Sequence, residues 1–148
     1  MEQNNMLKHY LIIGFIISLI AIIGSCKDDY YDQFGEFYFV NETNYNITYE
    51  FGIEKFNVAP KSTTIIKEKF RGEGNEATAS NYVSPLSYYG KELHIKFNNM
   101  KCLINVKDDD INSVRNIKNF VTEKIGENNY KLTYTFTEAD YNRAVTCP

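Results

Sequence analysis

Apolar and polar residues alternate at period two over several short stretches, the mark of half-buried strands. From 45 to 51, Tyr45, Ile47, Tyr49 and Phe51 fall on one face and Asn46, Thr48 and Glu50 on the other. Leu93, Ile95 and Phe97 alternate with His94 and Lys96, and Cys102, Ile104 and Val106 make the inward face of a returning strand. Clearest is the run in which Tyr130, Leu132, Tyr134 and Phe136 alternate with Lys131, Thr133 and Thr135. A dense apolar run over 36–40 reads as the hairpin partner of 45–51, because Asn41 to Asn44 between them are turn formers. Another strand covers 62–70, after the turn at Ala59-Pro60-Lys61.

The stretches between are irregular. Residues 71–80 hold two glycines and no large apolar side chain, which reads as a solvated loop, and 82–90 are punctuated by Pro85 and Gly90. Ile111, Val114, Ile117 and Val121 recur at helical spacing behind Asp110, a capping residue. Thr137 caps a last helical turn that stops before Cys147. Strand-sized pieces joined by short turns predict a mainly β domain over 35–148. Its expected form is an antiparallel β-sandwich or partly open barrel with one or two short helices.

Ahead of that domain, residues 11–23 read LIIGFIISLIAII, with Lys8 and His9 before them. The run is shorter than the roughly 20 residues of a spanning helix, and its order is that of a secretory signal over 1–25, removed by cleavage. Ile23-Gly24-Ser25-Cys26 resembles the bacterial lipobox. The resemblance implies diacylglycerol on the Cys26 sulfur, cleavage before it, and a further acyl chain on the new amine. Each buried methylene contributes about 0.8 kcal/mol, and two or more chains hold stably. Lys27-Asp28-Asp29 resembles the surface-export signal of Bacteroidota lipoproteins, which implies an outer-membrane position facing the exterior. Residues 26–34 read as a flexible acidic tether in either case; the alternative is that Lys27-Asp28-Asp29 is no more than part of it and the domain faces the periplasm. Phe39-Val40-Asn41-Glu42-Thr43 and the stretch over 134–141 resemble small Bacteroidota lipoproteins of comparable size. Those carry no assigned activity, so the resemblance bears on architecture and location alone.

Charge and composition narrow the chemistry. The formal net charge is −3 and Lys and Arg are scattered, so no basic stripe exists to grip phosphates and nucleic acid is not an expected partner. Twelve Tyr and ten Phe with no Trp suit an aromatic-rich β core. With Cys26 carrying lipid, Cys102 and Cys147 remain, either as a disulfide in an oxidising envelope or as two buried thiols. Beyond the signal, His94 is the single histidine, on the polar side of its strand, and alternation sets it on the face opposite Cys102. No Gly-x-Ser-x-Gly, phosphate loop or His/Cys metal spacing occurs, so no catalytic residue, metal or cofactor is expected. Asp108-Asp109-Asp110 resembles the start of a calcium loop, but Ser113 stands where glycine is required and Asn119 where glutamate is. Asn41-Glu42-Thr43 and Asn46-Ile47-Thr48 match the glycosylation acceptor pattern.

Tyr82, Tyr88 and Tyr89 lie in a Ser/Pro/Gly context and are the candidate ligand contacts, for a protein or a glycan. The preferred reading is that they plug the end of the sandwich, as Tyr does with one edge wet. The expectation is a non-enzymatic binding or accessory module, anchored by lipid to the outer membrane. The alternative is a periplasm-facing lipoprotein with hydrolytic or inhibitory activity built from carboxylates.

Overall fold

A computed structural model describes residues 30–51, 54–73, 76–88 and 93–147. Its elements in order are β1 (Tyr30–Asn41), β2 (Ile47–Phe51), β3 (Glu54–Val58), β4 (Thr63–Glu73), β5 (Leu93–Phe97), β6 (Lys101–Val106), β7 (Val121–Gly126), β8 (Asn129–Phe136), α1 (Glu138–Arg143) and β9 (Val145–Thr146). They form two sheets, β4-β1-β8-β7 and β3-β2-β5-β6-β9, packed as a β-sandwich. Every pairing is antiparallel except β1 with β8. Those two strands run the same way because both leave the first sheet for the second at one end, where Glu42 N–H donates to Phe136 O at 2.9 Å.

Alternation fills the core. Phe37, Phe39, Leu132 and Phe136 from the first sheet are fully buried against Ile47, Val58, Leu93, Ile95 and Phe97 from the second. Phe39 and Phe56 meet edge to face across the sheets, with ring centroids 4.8 Å apart, the arrangement that ring quadrupoles favour.

The 36–40 stretch and, of 45–51, residues 47–51 are strands, but they are not a hairpin. They belong to different sheets, and 42–46 is the crossover between them. The buried Asn41 organises this corner. Its Nδ2 donates towards the carbonyls of Tyr45, Val58 and Ala59 at 2.8 to 3.0 Å, while its Oδ1 accepts from Thr43 N–H at 2.9 Å and from the Thr43 hydroxyl at 2.7 Å. An amide so enclosed is no glycosylation acceptor.

Other expectations are also corrected. No α-helix forms over 110–121. Ser113 Oγ accepts from Arg115 N–H, Asn116 Oδ1 from Lys118 N–H, and Asn119 Nδ2 donates to Ser113 O and Asp110 O. Side chains that satisfy nearby backbone compete with the helical ladder, and the result is a string of turns with one 3-10 turn at Ile117–Asn119. β1 begins at Tyr30 and β4 ends at Glu73, so the tether expected over 26–34 is strand from residue 30, and the loop expected over 71–80 is strand up to 73.

In β6 the register shifts between the partners of Leu93 and Ile95. Leu103 therefore opposes the core residue Ile95, and Cys102 opposes Lys96. Cys102 lies on the outer face, on the same side as His94, and is covered there by the C-terminal tail. It is bonded to Cys147, with a Cα–Cα distance of 5.0 Å. This removes the thiol that a Cys–His pair would need.

Candidate binding face

β1 carries the site because aromatic residues occupy both of its faces. The register that buries Gln33, Phe37 and Phe39 turns Tyr30, Asp32, Phe34, Glu36 and Tyr38 outward. Tyr30, Phe34 and Tyr38 recur every fourth residue, about 13 Å apart along an extended strand. Each ring has a cation against it. The Arg71 guanidinium carbon is 3.9 Å from the Tyr30 centroid, Lys69 Nζ 5.7 Å from Phe34 and Lys131 Nζ 5.1 Å from Tyr38. Such contacts hold an exposed ring in one orientation and lower the ordering cost of binding.

The charges between the rings are neutralised within the face. Lys67 pairs with Glu36 at 2.7 Å, Lys69 with Asp32 at 2.7 Å, and Lys131 with Glu123 at 3.5 Å. The hydrogen bond from Lys67 holds the Glu36 carboxyl below its ordinary value, helped by one from Tyr38. The face is therefore polar without being strongly charged.

Where β8 ends, the face opens into a cleft of about 350 Å³ lined by Asn112, Asn119, Thr133, Thr135, Asp140 and Arg143 among others. Thr137 N–H donates to the Asp140 carboxylate at 2.8 Å, which starts α1 and fixes that carboxylate. Asp140 in turn holds Arg143, 2.8 Å from Nη2 to Oδ1, and Arg143 Nη2 also donates to Asn112 O at 2.6 Å. The Tyr134 phenol donates to the same Asn112 carbonyl at 3.1 Å, and burial raises its pKa, so it stays protonated. The lining thus offers hydroxyls, amides and one half-exposed guanidinium balanced by its carboxylate, beside the exposed apolar side chains of Ile111 and Val121. These groups suit hydrogen bonding to a polar, uncharged ligand.

The residues singled out in the sequence fare differently. Tyr82 is 1% exposed and is a plug. Its hydroxyl lies 3.0 Å from Phe34 O and 3.1 Å from Asn128 O, and burial pushes its pKa up to about 12. Tyr88 is 58% exposed. Cys26, Lys27, Asp28, Asp29 and Tyr89 lie outside the described residues. Asp108 pairs with Arg115 at 2.6 Å and Asp110 accepts from Lys107 N–H; among the described residues no His/Cys/Asp/Glu group could hold a metal ion.

A carboxylate hydrolase needs two close carboxylates, one of them held protonated. Glu68 is the described carboxylate that burial pushes up, and its charge bears on the Tyr88 phenol. The exposed rings of β1 and the Arg143 cleft escaped the sequence reading. The four-residue recurrence Tyr30, Phe34, Tyr38 was the available signal, obscured by assigning 26–34 to a tether.

Comparison of the chain with protein-family models, with curated proteins and with solved structures found no match.

Proposed function

We propose that this chain is a lipid-anchored lipoprotein of the outer-membrane surface that works as a non-enzymatic binding module, with the outer face of β4-β1-β8-β7 as its recognition surface. The lipobox at Cys26 and the Lys27-Asp28-Asp29 sequence support the anchor and its location. No helix among the described residues is long and apolar enough to cross a membrane.

The observation that carries the binding reading is the far end of the row of Tyr30, Phe34 and Tyr38, where Tyr38, braced by Lys131, leads towards the Arg143 cleft. Protein interfaces centre on contiguous apolar area. Here the Tyr38 ring, with Ile65 opposite it, stands among ion pairs, and the cleft beyond presents hydroxyls and amides beside Ile111 and Val121. That distribution favours a glycan over a protein, since a sugar offers flat C–H faces to rings and hydroxyls to everything between them.

A photo-crosslinking amino acid at Tyr38, compared on living cells with the same group at His94 on the opposite outer face, tests the reading. Adducts from position 38 and none from 94 are expected. Equal labelling, or none from 38, overturns it.

A further inference from the structure

We propose that the end of the sandwich where β1 begins rests on the lipid surface that holds the chain, with Tyr30, Phe34 and Ile125 as its apolar contacts. This rests on lipid attachment at Cys26. Only Lys27, Asp28 and Asp29 separate that residue from Tyr30, where ordered strand starts. Four residue steps span at most about 14 Å, against a headgroup layer of about 6 Å on each side of a bilayer. The start of β1 therefore cannot rise far above the headgroups whatever conformation those residues take.

What this end presents fits such a position. Tyr30 is 45% exposed, Phe34 44% and Ile125 42%. Ile125 lies level with Phe34, because β8 residues Asn129 and Tyr130 pair with Phe34 and Gly35 on one side and with Gly126 and Lys124 on the other. Rings with one apolar and one wet edge collect at membrane interfaces, and long cationic side chains beside them lay their stems on apolar surface with their heads in water. Arg71, Lys69 and Lys124 are the cations here. Lys69 is paired with Asp32 and Lys124 with Glu76, while Arg71 lies on the Tyr30 ring.

With Lys69 and Lys124 paired and Arg71 laid on a ring, this end contacts a neutral lipid surface by its apolar groups instead of relying on anionic headgroups. Docking in this way tilts β1, with its first residues laid against the headgroups and its far end raised. Tyr38 then stands about 26 Å further along the strand, and the Arg143 cleft is held clear of lipid.

The absence of tryptophan allows a direct test with the full lipidated chain on phosphatidylcholine vesicles. Phe34→Trp places a single probe at the proposed contact, and Met100→Trp places one on the exposed turn at the far end. Brominated phosphatidylcholine should quench and blue-shift the emission from position 34 and leave position 100 at its vesicle-free value. Equal quenching at both, or none at 34 in a chain that floats with the vesicles, overturns the docking while leaving the anchor standing. Quenching at 34 only when phosphatidylglycerol is added, and lost in high salt, overturns the neutral contact. A chain that fails to float overturns the anchor and the docking together.

Discussion

The ring of Tyr82 lies against the backbone of Gly35, so close that a β-carbon there would come within 3.1 Å of two of its atoms and 2.8 Å of the Phe37 ring. A second glycine stands in the same relation to a ring. A β-carbon on Gly72 would fall 2.3 Å from Tyr31, so both glycines make room for aromatic side chains that close the β1 end of the sandwich. Gly72→Ala should lower stability by about 1–3 kcal/mol, the usual cost of overpacking, as read in a denaturant melt. Tyr31→Phe should cost little, because the buried Tyr31 hydroxyl has no hydrogen-bond partner among the described residues and its removal abolishes an unmet desolvation cost.

Arg115 ties two loops together without belonging to any strand. Its side chain is 6% exposed and donates to Asp108 at 2.6 Å, to Val106 O at 3.2 Å and to Ser87 O at 3.3 Å. Arg115→Met should cost about 2–3 kcal/mol by stranding those carbonyls. Asp108→Asn should cost at most about 1 kcal/mol, because Asp108 is largely in water and such pairs contribute little. Similar losses for the two variants, measured by chemical denaturation, would refute this ranking.

Strands with one wet and one buried face were legible in the sequence, as Tyr130 to Phe136 illustrates. β1 was legible only in part. Aromatic residues on both its faces erase the period of two, and nothing local tells a strand's exposed ring from its buried one. Turn formers at Asn41 to Asn44 announced a reversal, but whether the chain returns to its own sheet depends on Asn41 reaching the carbonyls of Val58 and Ala59, far along the sequence. The bulge in β6 shifted the phase of Cys102 to Val106 for the same reason. Register is a property of the pair of strands. The Arg143 cleft is assembled from the loop after β6, from β8 and from α1, and no single stretch carries its pattern.

The Cys102–Cys147 bond closes a loop with a sequence separation of 45, enclosing β7, β8, α1 and β9. Chain-entropy reasoning assigns such a loop about 4 kcal/mol. Cys147→Ser should lower the melting temperature measurably, and reductant should lower that of the wild type to the same value. An unchanged melt in reductant would show that the bond does not constrain the unfolded chain.

Tyr82 makes the fold sensitive to alkali. Its pKa is raised from the ordinary phenol value of 10.0 to about 12, chiefly by burial. Between those values the unfolded chain releases the proton and the folded one keeps it, so stability is whole below pH 10 and falls as pH climbs towards 12. Urea midpoints across that window should drop for the wild type. Tyr82→Phe should show a shallower drop from a lower starting stability, since it also loses the bonds to Phe34 O and Asn128 O.

Surface export makes the last prediction, and the fold decides how to test it. Ordered strand from Tyr30 leaves three residues between the lipid and the sandwich, a poor target for a protease, so resistance to shaving would not distinguish the two faces of the membrane. Amines are the better handle. Lys61 and Lys118 are exposed on loops away from the start of β1. A membrane-impermeant amine reagent on intact cells should label the wild type. Replacement of Lys27, Asp28 and Asp29 by alanine should abolish labelling while the chain still partitions with membranes, because Cys26 is untouched. Labelling that persists in that variant would sink the export role of these three residues, and a wild type that labels only after the outer membrane is opened would place the domain in the periplasm.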